Sequence, residues 1–241
     1  MEASKRNDFS RRIVKELEDY YNLKGIYPAR LDVSRFHCSN QDLCPGDLAR
    51  GMQCHVGYQY GDTIKVVVSA MDCGGGGADV IEDRTSNVIR KHGNPHMRGT
   101  LRAVSLILRE TQDDSVDFIA MTNACKCCRL SGTKHMDKKY YENCSIHKLE
   151  EFRILNPDII LFQGKEDLSL AGCKHFLSKI DDPELDLDLK EYLKKYSDGI
   201  IDCFAVICIH PSARGRHIRK RNEFYNELFP RIADYLRKKL N

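Results

Sequence analysis

The stretch IKVVVSAM (residues 64–71) is a continuous apolar run, rich in β-branched residues, that ends directly before Asp72 and a run of glycines. Such a run is typical of a strand that is covered on both faces of a parallel sheet. Similar runs follow at VDFIAMT (116–122), PDIILFQG (157–164) and DCFAVICIH (202–210), with helical patterns between them. This alternation predicts a three-layer α/β/α fold around a central, mostly parallel sheet of four strands.

The segments on either side of these runs carry helical or irregular patterns. Residues 9–23 place apolar side chains such as Ile13 and Leu17 at helical spacing, which predicts an amphipathic opening helix. Residues 24–62 contain prolines, glycines and three cysteines without a sustained period, which indicates a long irregular segment that needs external support. Residues 221–240 predict closing helices that are interrupted near Pro230. We expect one domain over residues 1–241.

The composition excludes several classes of protein. Of the 241 residues, 41% are hydrophobic and 30% are charged, which is ordinary for a folded domain and excludes collagen-like and low-complexity chains. No run approaches the roughly 18 apolar residues of a membrane span, and residues 1–12 lack the apolar core of a secretion signal. We therefore expect a cytoplasmic monomer with no membrane partner. The net charge of +3 is too small to identify a nucleic-acid-binding protein by itself.

Eleven cysteines are unusual in a chain that we expect to occupy a reducing compartment, where disulfide scaffolds are rare. An upstream pair, Cys38 and Cys44, is followed at a distance by a second group that comprises Cys125, Cys127, Cys128 and Cys144. Two thiolates from each group could close a tetrahedral site, for which a four-iron cluster and zinc are both suitable. The alternative is that buried cysteines serve as small core residues, which fits Cys203 and Cys208 within a predicted strand.

The carboxyl ends of the predicted strands carry Asp72, Asn123, Gly164 and His210, and ligands of parallel sheets bind at this edge. Asp72 could orient a water molecule or stabilise a cationic sugar, and a neutral His210 could donate a hydrogen bond to a departing group. The alternative is that both are cap or turn residues. The glycine run, with Gly74 and Gly75, lacks the dinucleotide-binding fingerprint but lets the backbone approach a ligand closely.

Two loops are rich in basic residues. SARGRHIRKR (212–221) has no acidic residue and includes Arg214, Arg216 and His217. Because it follows a strand end of the candidate site, its cations are suited to the phosphates of a nucleic acid, although such a run can also be a solvated face. The loop SGTKHMDKK (131–139) adds Lys134 and His135.

Four motifs together resemble the uracil-DNA glycosylase superfamily, most nearly the branch that carries a four-iron, four-sulfur cluster. They are VVVSAMDCGG, MTNACKC, CSIHKLEEFRILNPDIILFQG and CFAVICIHPSARG, and the resemblance extends over nearly the whole chain. It implies a monofunctional DNA glycosylase, which hydrolyses the N-glycosidic bond of a base flipped out of DNA and leaves an abasic site.

The resemblance also implies roles for individual residues. Asp72 would orient water, Asn123 would read the edge of the base, and His210 would stabilise the leaving base. Ser212 and residues 214–216 would enter or brace the minor groove. The ligands of a 4Fe-4S cluster, favoured over zinc, would be Cys38, Cys44, Cys127 and Cys144, with Cys128 as an alternative to Cys127 and Cys54 as a spare candidate.

The departures from the family pattern concern the base pocket. Cys73 and four glycines stand where the family commonly has Pro-Gly, and His96 or Met97 stands where a Phe normally stacks on uracil. Less bulk favours a larger or modified base, such as one that protects viral DNA, over uracil. The alternatives are a conventional uracil-DNA glycosylase and a non-catalytic module that binds modified DNA. His135 lies where a covalently trapping branch carries a histidine, and we expect a DNA contact there.

Overall fold

The computed structural model of the chain describes residues 6–26, 41–44, 48–51, 54–71, 95–129, 138–164 and 172–240. These residues form a mixed α/β structure around a seven-stranded, mostly parallel sheet. Among the helices described, none has both the length and the apolar character needed to cross a membrane.

In chain order, the elements are α1 (Asp8–Lys24), β1 (Leu48–Gly51), β2 (His55–Val56), β3 (Val66–Ala70), α2 (Pro95–Leu108), β4 (Ile119–Asn123), β5 (Cys127–Arg129), α3 (Lys138–Leu155), β6 (Ile159–Gln163), β7 (Leu177–Ser178), α4 (Leu189–Tyr192), β8 (Leu193–Ser197), β9 (Asp202–Cys208), α5 (Ile218–Glu223) and α6 (Phe229–Leu240).

The four predicted strands are confirmed as β3, β4, β6 and β9. They are adjacent in the order β4-β3-β6-β9, and every pair is parallel. Their residues are almost entirely buried, as expected for strands covered on both faces.

The prediction that the sheet has four strands is wrong, because three antiparallel strands extend its edges. β2 pairs with β4, and β8 and β7 continue beyond β9. β2 and β7 have two residues each, and β8 has only Leu193 and Tyr196 buried, with Lys194 and Lys195 between them. Strands this short or this charged lack the apolar run that identified the four parallel ones. β1 and β5 form a separate two-stranded sheet.

Helices cover both faces of the sheet. On one face, α1 and α3 pack on alternate strand residues such as Val67 and Ala120. On the other face, α2 and α6 pack on the intervening residues, such as Val68 and Met121. The period of two along each strand therefore separates two hydrophobic cores.

The opening helix is confirmed, and it holds part of the segment at 24–62. Ile13, Leu17 and Tyr21 are buried along one side of α1. The Ser10 hydroxyl donates to the Gly57 carbonyl over 2.7 Å. A Cβ at Gly57 would lie 2.2 Å from the Asp117 carbonyl oxygen, so this close approach requires glycine. Strand pairing and hydrogen bonds thus attach residues 54–60 to the core.

The predicted interruption near Pro230 is a π-helical turn. α5 leads into this turn, which spans Phe224–Leu228, and α6 follows without a break. Proline lacks an amide hydrogen and crowds the carbonyl of the preceding turn, so a widened turn accommodates it. The turn buries Tyr225, whose hydroxyl donates to the Ile209 carbonyl over 2.6 Å. The C-terminal helices therefore brace the end of β9.

The turn between β8 and β9 depends on Asp198. One carboxylate oxygen accepts from the amides of Ile200 and Ile201, both at 3.0 Å, and the other accepts from Arg153 Nε at 3.0 Å. Burial of Asp198 disfavours its charged form, but these donors outweigh burial and lower the pKa of the carboxyl group. The ionised carboxylate therefore stabilises the hairpin and ties it to α3.

We predict that Asp198→Asn lowers the free energy of unfolding by about 1–3 kcal/mol at neutral pH, because it weakens three hydrogen bonds, two of which are partly buried. Since the pKa is lower in the folded state, this contribution is present above the ordinary value of 3.8 and is lost as the pH falls through the folded-state pKa. Denaturant unfolding from pH 7 to pH 3 measures it. Asp202→Asn, at a carboxylate that is 69% exposed, is the matched control. Equal stability of the two variants at pH 7 would contradict the prediction.

Candidate functional site

The carboxyl ends of the four parallel strands meet at one edge of the sheet. Ala70 pairs with Asn123, and Gln163 pairs with Cys208. Ser69 pairs with Phe162, so the next residues on the two strands, Ala70 and Gln163, lie side by side. Asn123, Ala70, Gln163 and Cys208 therefore form a row across the sheet, and the alternation of side chains directs them towards the α2 face.

A cavity of about 670 Å³ opens at this edge. Its volume is within the range of small-ligand sites. An added Cβ at Gly164, where φ is +118°, would meet no atom of the described residues within 4 Å. The lining residues are Met71, Gln163, Gly164, Tyr192, Ile207, Cys208, Ile209, His210, Ser212, Ala213, Arg214, His217 and Lys220.

A second cavity, of about 570 Å³, lies at the opposite edge of the sheet. It is lined by residues that precede β3 and β6, including Ile64 and Asp158. Asp158 is already engaged there, because it accepts from the Lys65 amide over 2.8 Å and pairs with the Lys65 ammonium group. Since parallel sheets bind ligands at the carboxyl edge, the cavity at His210 is the better candidate.

His210 has a defined orientation. The Ser212 amide donates to its Nδ1 over 3.3 Å, and the Ser212 hydroxyl lies 3.1 Å from the same nitrogen. Because Nδ1 accepts a hydrogen bond, the neutral ring carries its proton on Nε2. The ring also stacks on His96, with centroids 4.9 Å apart and planes inclined by 14°. His210 can therefore present an Nε2–H donor to a ligand.

α2 brings His96 against the loop of His210. Gly99 faces Pro211, and an added Cβ there would lie 2.8 Å from the Pro211 side chain. The absence of a side chain at Gly99 permits this close approach. Met97, the other candidate for the position of the family's Phe, is half-buried and packs against the core on the α2 face. His96 is thus the candidate that contacts His210.

Two buried amide side chains belong to the row at the strand ends. Asn123 is 5% exposed and Gln163 is 3% exposed. Neither Asn123 Nδ2 nor Gln163 Oε1 has a hydrogen-bond partner within the part of the chain that the structure describes. Buried polar atoms are normally paired, and Gln163 lines the cavity, so its Oε1 is suited to a ligand. Asn123 was predicted as a site residue, whereas Gln163 was not.

The predicted DNA-binding residues of the last loop surround the cavity mouth. Ser212 and Arg214 line the cavity, and Arg214, Arg216 and His217 are exposed. Arg221 donates to the Ala213 carbonyl over 2.9 Å and so holds the loop against α5. The loop therefore directs positive charge to the solvent side of the cavity.

Several predicted site residues lie outside the described residues. They are Asp72, Gly74, Gly75, Lys134, His135 and Cys38. Met71, which directly precedes Asp72, lines the cavity at the end of β3.

The cysteine-bearing segments converge beside the site. Lys126 donates its amide to Cys144 Sγ over 3.4 Å, and Asn143 Nδ2 donates to Cys44 Sγ over 3.3 Å. N–H donors directed at sulfur are typical of thiolate ligands in iron–sulfur sites. β1 pairs Gly51 with Cys127 through the backbone. Among the described side chains, no group of three potential metal ligands is present, and Cys38 and the Cys127 side chain lie outside that set.

Cys54, the spare ligand candidate, has a place in the core. It is fully buried, and its amide donates to the Tyr21 hydroxyl over 2.9 Å. Its thiol contacts the carbonyl of His55 at 3.3 Å. These contacts fit the alternative interpretation of a buried cysteine as a small core residue.

No protein-family model matches the chain, and a search of curated proteins finds no match. The functional argument therefore depends on the geometry of the strand ends and of the cysteine-bearing segments.

A buried network of charged and polar side chains lies below the strand ends, and it was not predicted from the sequence. Lys126 Nζ lies 2.5 Å from Glu151 Oε2, and the Tyr21 hydroxyl donates to Glu151 Oε1 over 2.5 Å. Burial, followed by the charge of Glu151, raises the pKa of Tyr21 well above its ordinary value. Lys148 donates to the Ala70 carbonyl over 3.1 Å. The spacing of Cys144, Lys148 and Glu151 places them on one helix face, but it does not indicate that Glu151 pairs with Lys126.

We predict that Gly99→Ala destabilises the protein by about 1–3 kcal/mol, because the new methyl group overlaps Pro211. At an unobstructed position in a helix, the same change stabilises by roughly 0.5–1 kcal/mol, so the sign of the effect is diagnostic. Thermal unfolding measures it, with Arg102→Ala on the exposed side of α2 as the control. An increase in Tm for Gly99→Ala would show that α2 does not approach the loop as described.

Proposed function

We propose that the chain is a monofunctional DNA glycosylase that removes a flipped, modified or bulky base and leaves an abasic site. The observation that carries this proposal is His210, which Ser212 holds with an Nε2–H donor at a cavity on the carboxyl edge of the sheet. The three-layer α/β/α arrangement of the resembled superfamily is consistent with the helices on both faces of the sheet.

The proposed reaction breaks the bond between the sugar C1′ and the base nitrogen, and the bonding electrons leave with the base. Water supplies the oxygen that bonds to C1′ and keeps one proton there as a hydroxyl group; its other proton is lost, and the departed base takes up one proton, so that the net reaction is hydrolysis. His210 Nε2–H donates to the base as negative charge develops on it, which stabilises the departing group. Asp72, by the resemblance, orients the water.

The size of the cavity supports a bulky substrate. Its volume is about 670 Å³, and no atom of the described residues lies within 4 Å of a Cβ added at Gly164. His96 stacks on His210 where the resembled family has a Phe for uracil. The described residues at this strand end therefore leave space for substituents on a base, which favours a modified base over uracil. Removal of such bases from viral DNA would be a defence function.

The charge around the cavity supports DNA as the substrate. Arg214 and Lys220 line the cavity mouth, and Arg216 and Arg219 are exposed close by in the sequence. Cations grouped at the rim are suited to the phosphates that flank a flipped nucleotide.

A four-iron, four-sulfur cluster fits the cysteine-bearing segments, since Cys44 and Cys144 both accept N–H donors at sulfur. Cys44, Cys144, Cys127 and Cys38 would hold it, with Cys128 as an alternative to Cys127. When bound, the cluster supplies a covalent connection between the irregular N-terminal segment and the core. Zinc is the less favoured occupant.

We predict that the protein forms abasic sites in DNA that carries bulky modified cytosines and not in DNA that carries uracil, as measured with an aldehyde-reactive probe. His210→Ala should reduce the rate at least about 100-fold, because it removes the donor to the leaving base. His175→Ala, at an exposed histidine near the far edge of the sheet, is the matched control.

Other results of this assay would favour one of the alternative functions or exclude the role of His210. Excision of uracil would indicate a conventional repair enzyme. Tight DNA binding without abasic sites on any substrate would indicate a non-catalytic binding module, and an unaffected His210→Ala variant would exclude the proposed role of His210.

We predict that the protein, purified without oxygen, absorbs near ~400 nm as expected for iron bound by thiolates. Cys44→Ser and Cys144→Ser should reduce the iron content and this absorbance, whereas Cys203→Ala, in the middle of the sheet, should not. A colourless protein that contains zinc would identify zinc as the occupant, and retention of all iron in both serine variants would exclude these ligands.

A further inference from the structure

Two amide side chains flank the small Ala70 at the carboxyl edge of the sheet. Asn123 lies on the neighbouring strand β4 and Gln163 on β6, so two strand spacings, about 10 Å, separate their backbones. Both side chains point to the α2 face, because Met121 and Leu161, two residues earlier, belong to the core on that face. Ala70, between the two amides, has only a methyl side chain.

The orientation of the Gln163 amide is fixed by a chain of hydrogen bonds. The Thr100 hydroxyl donates to the His96 carbonyl over 2.9 Å. Because that hydroxyl has one proton, it can only accept from Gln163, whose Nε2 donates to it over 2.5 Å. The other end of the amide, Oε1, is consequently an acceptor. It is buried and has no partner in the described parts of the chain.

We propose that Gln163 Oε1 selects a flipped base that carries an exocyclic amino group. This inference rests on the proposed function, because it assigns the base class to the same cavity. Gln163 lines that cavity, and an amino group supplies the donor that its buried acceptor lacks. Asn123 Nδ2, a buried donor on the same face of the sheet, also lacks a partner among the described residues.

An acceptor at Gln163 Oε1 distinguishes cytosine-type from uracil-type bases. The exocyclic group of cytosine is an amino donor, whereas the corresponding group of a uracil- or thymine-type base is a carbonyl acceptor. Against Gln163 Oε1, a carbonyl would leave two acceptors facing each other in a buried site. A site built around such a hydrogen bond rejects the analogue that lacks it, because the polar group of the protein stays unpaired.

Binding to uncleavable DNA tests this assignment independently of catalysis. The probes are duplexes with a single 2′-fluoroarabino nucleotide that carries either 5-hydroxymethylcytosine or 5-hydroxymethyluracil, which differ in the amino and carbonyl groups and the associated ring proton. We expect the full-length protein to bind the cytosine probe at least about 10-fold more tightly. Gln163→Leu should bring the ratio of the two Kd values close to one, whereas Gln163→Glu, which keeps an acceptor, should retain the preference.

Thr100→Val provides a second, smaller change. It removes the hydroxyl that orients the amide, so Gln163 can turn its Nε2 towards the base. The Kd ratio should then fall while the affinity for DNA without a modified base is unchanged. This variant decides the question if Gln163→Leu does not fold, as judged by thermal unfolding.

The outcomes separate this inference from the proposed function. Equal affinity of the wild-type protein for the two probes, or an unchanged ratio in both Gln163→Leu and Thr100→Val, would overturn the role of Gln163 even if the enzyme excises bases. A preference that depends on Gln163, without abasic sites in cleavable DNA, would support the recognition and refute the glycosylase activity.

Discussion

The register of four parallel strands is the constraint on which the candidate site depends. The pairing of β3 with β4 and β6, and of β6 with β9, aligns Asn123, Ala70, Gln163 and Cys208 in one row. A shift of β4 or β6 by one residue relative to β3 would turn the side-chain amide of Asn123 or Gln163 to the opposite face of the sheet. The loop that follows β9 then carries His210 over the same edge, where Tyr225 holds its start through the Ile209 carbonyl.

The opposite face of this edge contains a buried ion pair. Lys126 and Glu151 form an ion pair without access to solvent, and Thr122 and Tyr21 also donate to Glu151. A buried pair adds little net stability, but loss of one partner leaves an uncompensated charge. Because neither charge can be left unpaired, Lys126 must stay beside Glu151. This requirement positions the backbone that follows Asn123.

The sequence was informative where local pattern determines structure. Apolar runs identified the central strands, and polar residues at their ends identified Asn123 and His210. β8 was missed because Lys194 and Lys195 hide a strand with two buried residues. Gln163 is not evident from the pattern, because it lies inside its apolar run, one residue before the glycine that ends the run. The pair of Lys126 and Glu151 joins residues 25 apart in the chain, a relation that periodicity does not contain.

The cysteine-bearing segments and the strand edge are connected by a short backbone path. After Asn123, the amides of Ala124 and Cys125 donate to the carbonyls of Ala70 and Met71, and the Lys126 amide donates to Cys144 Sγ. Only these three residues separate Asn123 from Cys127. A cluster bound at Cys144 and Cys127 would therefore fix the far end of this path, whereas the amides of Ala124 and Cys125 hold the end beside Asn123. A structural cofactor placed in this way would support the strand ends through the backbone, without contact with a ligand.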